Sequence, residues 1–147
     1  MRDNYWLAQR LKYIWETYFP EMKQVNDVIV KFGRRSRSRL GSIQLSQPSS
    51  SIIYFGMRRL LGIKPKTIII LSGYFKSRLV PTYVVDATIA HELSHYAHGF
   101  GSIHKRKFRY PHKHGIVRIE LRNRGLEELF KKQKKWTKAN WLKVIRG

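Results

Sequence analysis

Apolar residues recur at helical spacing at the start of the chain and in three segments of its second half. The first segment has apolar positions at Leu7, Leu11, Ile14, Trp15, Tyr18 and Phe19. It stops before Pro20, because the residue ahead of a proline disfavours the α region. The pattern predicts an N-terminal helix.

Between this helix and the middle of the chain, runs of β-branched residues predict a small sheet. The predicted strands cover 28–32, 40–43, 52–55 and 67–71. A glycine- and arginine-rich turn at 33–39 separates the first two of them.

Three helices are predicted in the second half of the chain. The first is capped by Thr82, which follows Pro81, and it stops at Gly99. The second covers 115–124, and the third covers 126–145 and is rich in lysine.

These elements predict one α+β domain that spans residues 1–147. A small, mostly antiparallel sheet is expected to pack on the N-terminal helix and on the first of the three later helices. Residues 126–147, which contain the last helix, are expected to form a basic C-terminal extension of this domain.

Composition changes this picture in one respect, which is charge. Thirty Lys and Arg against nine Asp and Glu give a formal net charge of +21. A field of that size favours a polyanionic partner, with nucleic acid ahead of a membrane surface.

The chain has no cysteine, which excludes a disulfide framework and a thiolate metal site. The longest apolar run is too short to span a bilayer, so we expect no membrane partner and a cytoplasmic localisation. The expected nucleic-acid partner would associate the protein with the nucleoid.

The helix after Pro81 contains His91-Glu92-Leu93-Ser94-His95, an H-E-x-x-H pattern. Two histidines four residues apart lie on one helix face, one turn above the other, and so supply half of a tetrahedral zinc site. The carboxylate of Glu92 can then reach a water on the metal and act as a general base. The pattern predicts a zinc site with His91 and His95 as ligands and Glu92 as the catalytic residue.

A catalytic zinc site needs a third protein ligand, and the residues leave its identity open. His98 lies on the same helix and would crowd the metal, so we expect it to support the helix end instead. Gly101 stands where the metzincin and YbeY-type patterns place a histidine, which disfavours both classes. The remaining candidates are His104, His112, His114 and Glu120.

Glu120 is a candidate because it falls inside an apolar stripe. A carboxylate on such a face needs a strong partner, and a metal ion would serve. The alternative is a salt bridge along the helix to Arg124 or Arg118. The sequence leaves the two interpretations balanced.

Three basic clusters, at 34–39, 105–113 and 131–135, are candidates for nucleic-acid contact, because Lys and Arg bind phosphates and aromatic side chains stack on unpaired bases. The predicted contact residues are Arg34, Arg35, Lys105, Arg106, Lys107 and Arg109. A solvated basic surface is the alternative, in which Trp136 and Trp141 dock the last helix onto the core. For the two tryptophans we favour this alternative.

The order of these segments resembles the SprT-like zinc metallopeptidases, the family that includes bacterial SprT and the Spartan proteases. The resemblance covers most of the domain, but only the H-E-x-x-H pattern is specific. It is carried by the N-terminal helix, the strand at 28–32, Leu40-Gly41-Ser42-Ile43, the strand at 67–71 and the helix with Ala87-Thr88-Ile89-Ala90 before the motif. The chain departs from the family in having no cysteine-built zinc ribbon.

The resemblance implies a zincin-like fold and a third zinc ligand that is a histidine after a loop. Pro111-His112, with Ile116 four residues later, fits the family's pattern, so the resemblance implies His112. His104 fits the spacing without the proline, and His114 fits a common His-Gly pair. We therefore rank His112 first and keep Glu120 and His114 as alternatives. The resemblance also implies action on proteins attached to DNA.

The predicted reaction is peptide-bond hydrolysis. Zinc would lower the pKa of a bound water to about 7 and polarise the scissile carbonyl, and Glu92 would carry the proton to the leaving amine. The strand at 67–71, as a sheet edge, would bind the substrate backbone. Two other classes stay open: a basic nucleic-acid-binding module with a structural or vestigial zinc site, and a zinc hydrolase that acts on a non-peptide substrate. Glu92 weighs against the first, since a structural site does not need it.

Overall fold

The computed structural model describes residues 1–46, 56 and 60–147. Its helices are α1 (Asn4–Tyr18), α2 (Thr82–Ala97), α3 (Ile116–Asn123) and α4 (Glu127–Arg146), and its strands are β1 (Val28–Phe32), β2 (Gly41–Leu45) and β3 (Thr67–Leu71). The described part of the chain is therefore an α+β fold, as predicted. The strand predicted at 52–55 lies outside the described residues.

The three described strands form a sheet in the order β1-β3-β2. β3 is parallel to β1 and antiparallel to β2, so the sheet is mixed and the prediction of a mostly antiparallel sheet was wrong for these strands. The reason is the connection: the chain leaves β1, forms β2 on the far side of the sheet, and returns to insert β3 between them.

The central position of β3 also corrects the predicted substrate-binding edge. All five residues of β3 are buried or half-buried, as expected for an apolar strand that is paired on both sides. The outer strands among the described residues are β1 and β2. Of the two, β2 lies against α2, the helix that carries the H-E-x-x-H pattern.

Helix α1 is capped by Asp3, whose carboxylate accepts a hydrogen bond of 2.8 Å from the backbone N–H of Trp6. It packs on β1 and α2. A two-pronged ion pair fixes it to α2: the Arg10 guanidinium donates to both carboxylate oxygens of Asp86, at 2.8 Å and 2.7 Å.

Helix α2 is buried along most of its length. The predicted cap at Thr82 was wrong, because the N-cap position is Pro81, and the Thr82 hydroxyl accepts a hydrogen bond of 3.3 Å from Arg2 instead. The predicted stop is confirmed: the helix ends at Ala97, and Gly99 has the positive φ of +84° that favours glycine after a helix end.

Helix α4 is docked onto the rest of the fold by polar and aromatic contacts. The indole of Trp141 packs edge-on against Tyr74 and Phe75, and its N–H donates to the carbonyl of Arg37 at 2.7 Å. Trp136 also packs against the core, so the predicted docking role of the tryptophans is confirmed.

The described helices do not include one with both the length and the apolar character to cross a bilayer.

Candidate metal centre

Three histidines meet at the C-terminal half of α2. His91 and His95 face each other with 3.1 Å between their Nε2 atoms, as their spacing on one helix face requires. His112, from the loop before α3, lies with its ring stacked 5.6 Å from that of His91 and edge-on 4.6 Å from that of His95. One ring nitrogen from each histidine lies within 4.8 Å of the other two. These three residues could hold a metal ion.

The donor set fits a metal ion on chemical grounds. Burial, followed by the nearby His112, lowers the pKa of His91 to about 4, and burial, followed by His91, lowers the pKa of His95 to about 3. Both rings are therefore neutral at pH 7 and can offer a nitrogen lone pair. Nitrogen ligands of a tetrahedral zinc, each at about 2.0–2.1 Å from the ion, lie roughly 3.3 Å apart, so small side-chain rotations would close the observed group around one ion.

The loop that delivers His112 is anchored to the end of α2. The backbone N–H of Lys107 donates to the carbonyl of His98 at 3.0 Å. A Cβ atom on Gly99 would lie 2.6 Å from the Cα of Arg106, so only glycine allows the loop to approach this closely. These contacts hold Arg106 and Lys107 of this loop against the end of α2.

Glu120, the second candidate ligand, lies outside the histidine group. Its carboxylate lies 3.3 Å from Nε2 of His98 and accepts a hydrogen bond of 3.0 Å from Arg124. The His98 hydrogen bond, and then Arg124, lower the pKa of Glu120 to about 2. The salt bridge between Glu120 and Arg124, which the sequence offered as the alternative to metal binding, is thus the one seen. His98 is buried at the end of α2, as expected.

The other two histidines also point elsewhere. His104 has its Nε2 2.8 Å from the carbonyl oxygen of Lys23, and its ring packs edge-on against Tyr96. His114 is exposed in the short turn before α3, with a φ of +60°. Neither belongs to the histidine group that could hold a metal.

Glu92 is buried beside this group, with 4% of its surface exposed. Burial raises the pKa of its carboxyl to about 8, an effect that the nearby Arg39 partly offsets. A Cβ atom on Gly41 would lie 2.8 Å from Oε1 of Glu92, so the first residue of β2 is in direct contact with the carboxyl. Glycine at this position therefore leaves room for the Glu92 carboxyl, which a larger residue would displace.

Two adjoining cavities share Arg39, Gly41, His91 and Glu92 in their walls. One, of about 340 Å³, reaches His95, Phe100 and His112 along β2. The other, of about 630 Å³, lies between residues 38–41 and α4. We call the whole opening the central cleft.

The sequence did not predict the α4 wall of the central cleft. Phe130, Lys134 and Lys138 recur at helical spacing and line it together with Arg39. Their i, i+4 spacing predicts that they share one face of a helix, but it does not predict which part of the fold that face packs against. Sequence reasoning placed Lys134 only within a general basic cluster.

The six residues predicted to bind nucleic acid are exposed and lie in two separate loops: Arg34, Arg35, Lys105, Arg106, Lys107 and Arg109. The loop at 105–109 borders the metal centre, since the Arg106 guanidinium stacks 4.9 Å over the ring of Phe100, which lines the central cleft. The loop at 33–39 lies at the carboxyl ends of β1 and β3.

Comparisons of the chain with models of protein families, with curated proteins and with solved structures find no match. The fold and the site therefore have to be interpreted from their own chemistry. On that basis the described chain is a small α+β domain with a three-histidine group that could hold a metal ion.

Proposed function

We propose that this protein is a zinc-dependent metallopeptidase of the H-E-x-x-H type. The observation that carries the proposal is the pairing of a three-histidine group with a buried carboxyl, Glu92, at the junction of two cavities. A structural metal site would have no need of an open cleft or of a carboxyl at this position.

His91, His95 and His112 would hold the zinc ion, and a fourth position would stay open. When bound, zinc supplies a Lewis acid that polarises a carbonyl and acidifies water. The positive charge would favour the ionised form of Glu92, because an opposite charge nearby lowers the pKa of a carboxyl. Glu92 then accepts the proton of the attacking water and gives it to the leaving amine as the C–N bond breaks.

The outer edge of β2 is the proposed binding surface for the substrate backbone. β2 begins next to the carboxyl of Glu92, and no described strand pairs with its outer side. An extended peptide could therefore add to the sheet as a further strand and bring one of its peptide bonds to Glu92. This assignment replaces the buried central strand β3.

Action on proteins bound to nucleic acid, most simply DNA, is the proposed setting of the reaction. The resemblance to the SprT-like family, the net charge of +21 and the exposed basic loop beside the cleft support it. Nucleic acid held by this loop would keep an attached protein close to the metal centre.

Hydrolysis of an unfolded protein by the purified chain, before and after removal of bound metal, tests the proposed function. The metal-free protein is expected to be inactive, and zinc added back in equimolar amount should restore activity, because the histidine donors suit zinc. Magnesium, which prefers oxygen ligands, should not restore it. Hydrolysis that survives metal removal would contradict the proposal.

Nucleic-acid binding is expected to depend steeply on salt and weakly on sequence. Neutralising Z phosphates gives a slope of log K against log salt of about −0.7Z for single strands and −0.9Z for duplex. The variant with Lys105, Arg106, Lys107 and Arg109 changed to Gln should have lower affinity for every oligonucleotide tested and a shallower slope, measured by titration at several salt concentrations.

The matched control for this loop removes four positive charges elsewhere, by changing the exposed Lys12, Lys66, Lys135 and Lys143 to Gln. This control should keep more of the affinity than the loop variant does. Equal losses in the two variants would show that the 105–109 loop has no special role, and an affinity that ignores salt would argue against nucleic acid as the partner.

A further inference from the structure

We propose that the central cleft selects peptides with an acidic side chain close to the scissile bond. This inference rests on the proposed peptidase function and names its substrate class.

The acidic preference is inferred from the wall formed by α4 and residues 38–41. Three cations line this part of the cleft, Arg39, Lys134 and Lys138, and the one carboxyl that lines it is Glu92. The described carboxylates make no ion pair with any of the three cations. Because Glu92 is committed to the reaction, the cationic wall has charge to offer to a substrate.

The cations lie within reach of the reacting groups. The ring of Phe130 is stacked on that of His91, with 6.4 Å between the ring centroids. The ammonium group of Lys134 lies 4.8 Å from the centroid of the same Phe130 ring. Arg39 lines both cavities together with His91 and Glu92, and Lys134 lines the larger of them. An acidic side chain adjacent to the bond being cleaved would therefore meet positive charge.

Both sides of this wall are fixed in place. The buried Gln133 donates a hydrogen bond of 3.0 Å to the hydroxyl of Thr88, which joins α4 to α2. On the opposite side, the backbone N–H of Arg39 donates to the Ser36 hydroxyl at 3.1 Å, and the Trp141 indole holds the carbonyl of Arg37. The backbone segments that carry the three cations are thus fixed before a ligand arrives, which lowers the cost of binding.

A peptide accounts for these features better than a nucleic acid does. The cations line a cleft next to β2, whose outer edge pairs with no described strand and suits an extended polypeptide backbone. The remaining cations of the two exposed loops give phosphates a wider and more accessible surface.

The test uses peptide pools of one length in which a single position is Glu, Gln or Lys and the others are randomised. The parent protein loaded with zinc should cleave the Glu pool fastest. In the Lys134→Gln/Lys138→Gln variant, the ratio of kcat/KM for the Glu pool to that for the Gln pool should fall roughly fivefold, the size expected for two partly exposed charge pairs.

Two further measurements keep this test specific. The Lys135→Gln/Lys143→Gln variant removes the same charge from exposed positions of α4 that do not line the cleft, and it should keep the parent ratio. Binding of fluorescent Glu and Gln pools to the Glu92→Gln protein should show the same preference without any hydrolysis, and the preference should fall when Lys134 and Lys138 are also changed.

The outcomes separate the inference from the proposed function. If the protein bound the Glu pool more tightly than the Gln pool but the parent hydrolysed neither, the proposed peptidase function would be wrong and the preference for acidic ligands would stand. Equal treatment of the Glu and Gln pools, or an equal fall in the ratio in the control variant, would overturn the inference. It would also be overturned if Lys134→Gln/Lys138→Gln weakened binding of a single-stranded oligonucleotide more than binding of the Glu pool.

Discussion

The Glu92→Gln variant is expected to keep its zinc and to lose peptide hydrolysis by roughly 10²–10⁴-fold, the usual contribution of a general acid–base group. Glutamine has nearly the shape of glutamate, so the close contact with Gly41 and the burial of the side chain are retained. Its amide cannot accept the proton of the attacking water. The loss should appear in kcat/KM for any peptide that the parent cleaves.

A matched control is Glu128→Gln, the same chemical change at a carboxylate that is 88% exposed on α4. It should leave hydrolysis at the parent rate. If Glu92→Gln cleaved peptides as well as Glu128→Gln did, Glu92 would not be the base and the proposed mechanism would be wrong.

The second large effect is expected at the third zinc ligand. His112→Ala should reduce zinc affinity by much more than the 10–100-fold that is typical of a residue supporting a ligand, because one of three protein donors is lost. Competition against a chelator of known affinity measures this. His114→Ala is the matched control, since His114 lies two residues away and outside the histidine group. If the two variants bound zinc equally, His112 would not be a ligand.

Glu120→Gln is expected to affect stability and to leave zinc affinity at most moderately lower. The folded protein lowers the pKa of Glu120 from 4.5 to about 2, so the carboxylate stabilises the fold above its ordinary pKa. That contribution is lost as the pH falls from about 4.5 through 2. The thermal midpoint of Glu120→Gln should therefore lie below that of the parent at pH 7 and approach it at low pH. A large loss of zinc at neutral pH would restore Glu120 as a candidate ligand.

Much of this site could be predicted because the helix that carries His91 and His95, and the two histidines themselves, depend on residues that are close in sequence. The i, i+4 spacing of His91 and His95 determines their proximity on any helix, and Gly99 marks the end of that helix through its own backbone preference. The apolar run at 67–71 likewise predicts a strand without reference to its neighbours. Each of these predictions needs only residues that are close in sequence.

The remaining parts depend on contacts between distant segments. The meeting of His112 with His91 and His95 depends on how the loop after α2 packs, and the partner of Glu120 is set by where α3 meets the end of α2. The place of β3 at the centre of the sheet depends on strand pairing, which an apolar pattern alone does not fix. For the same reason the sequence showed the basic residues of α4 but not the cleft that they line.

Zinc content per chain, measured on the purified parent and on the His91→Ala/His95→Ala variant, tests the central claim most directly. The account predicts about one zinc per parent chain and loss of that zinc from the variant, because two of the three histidine donors are removed. A parent that carries no zinc after purification in zinc-containing medium, or a variant that keeps the parent's zinc content, would contradict it.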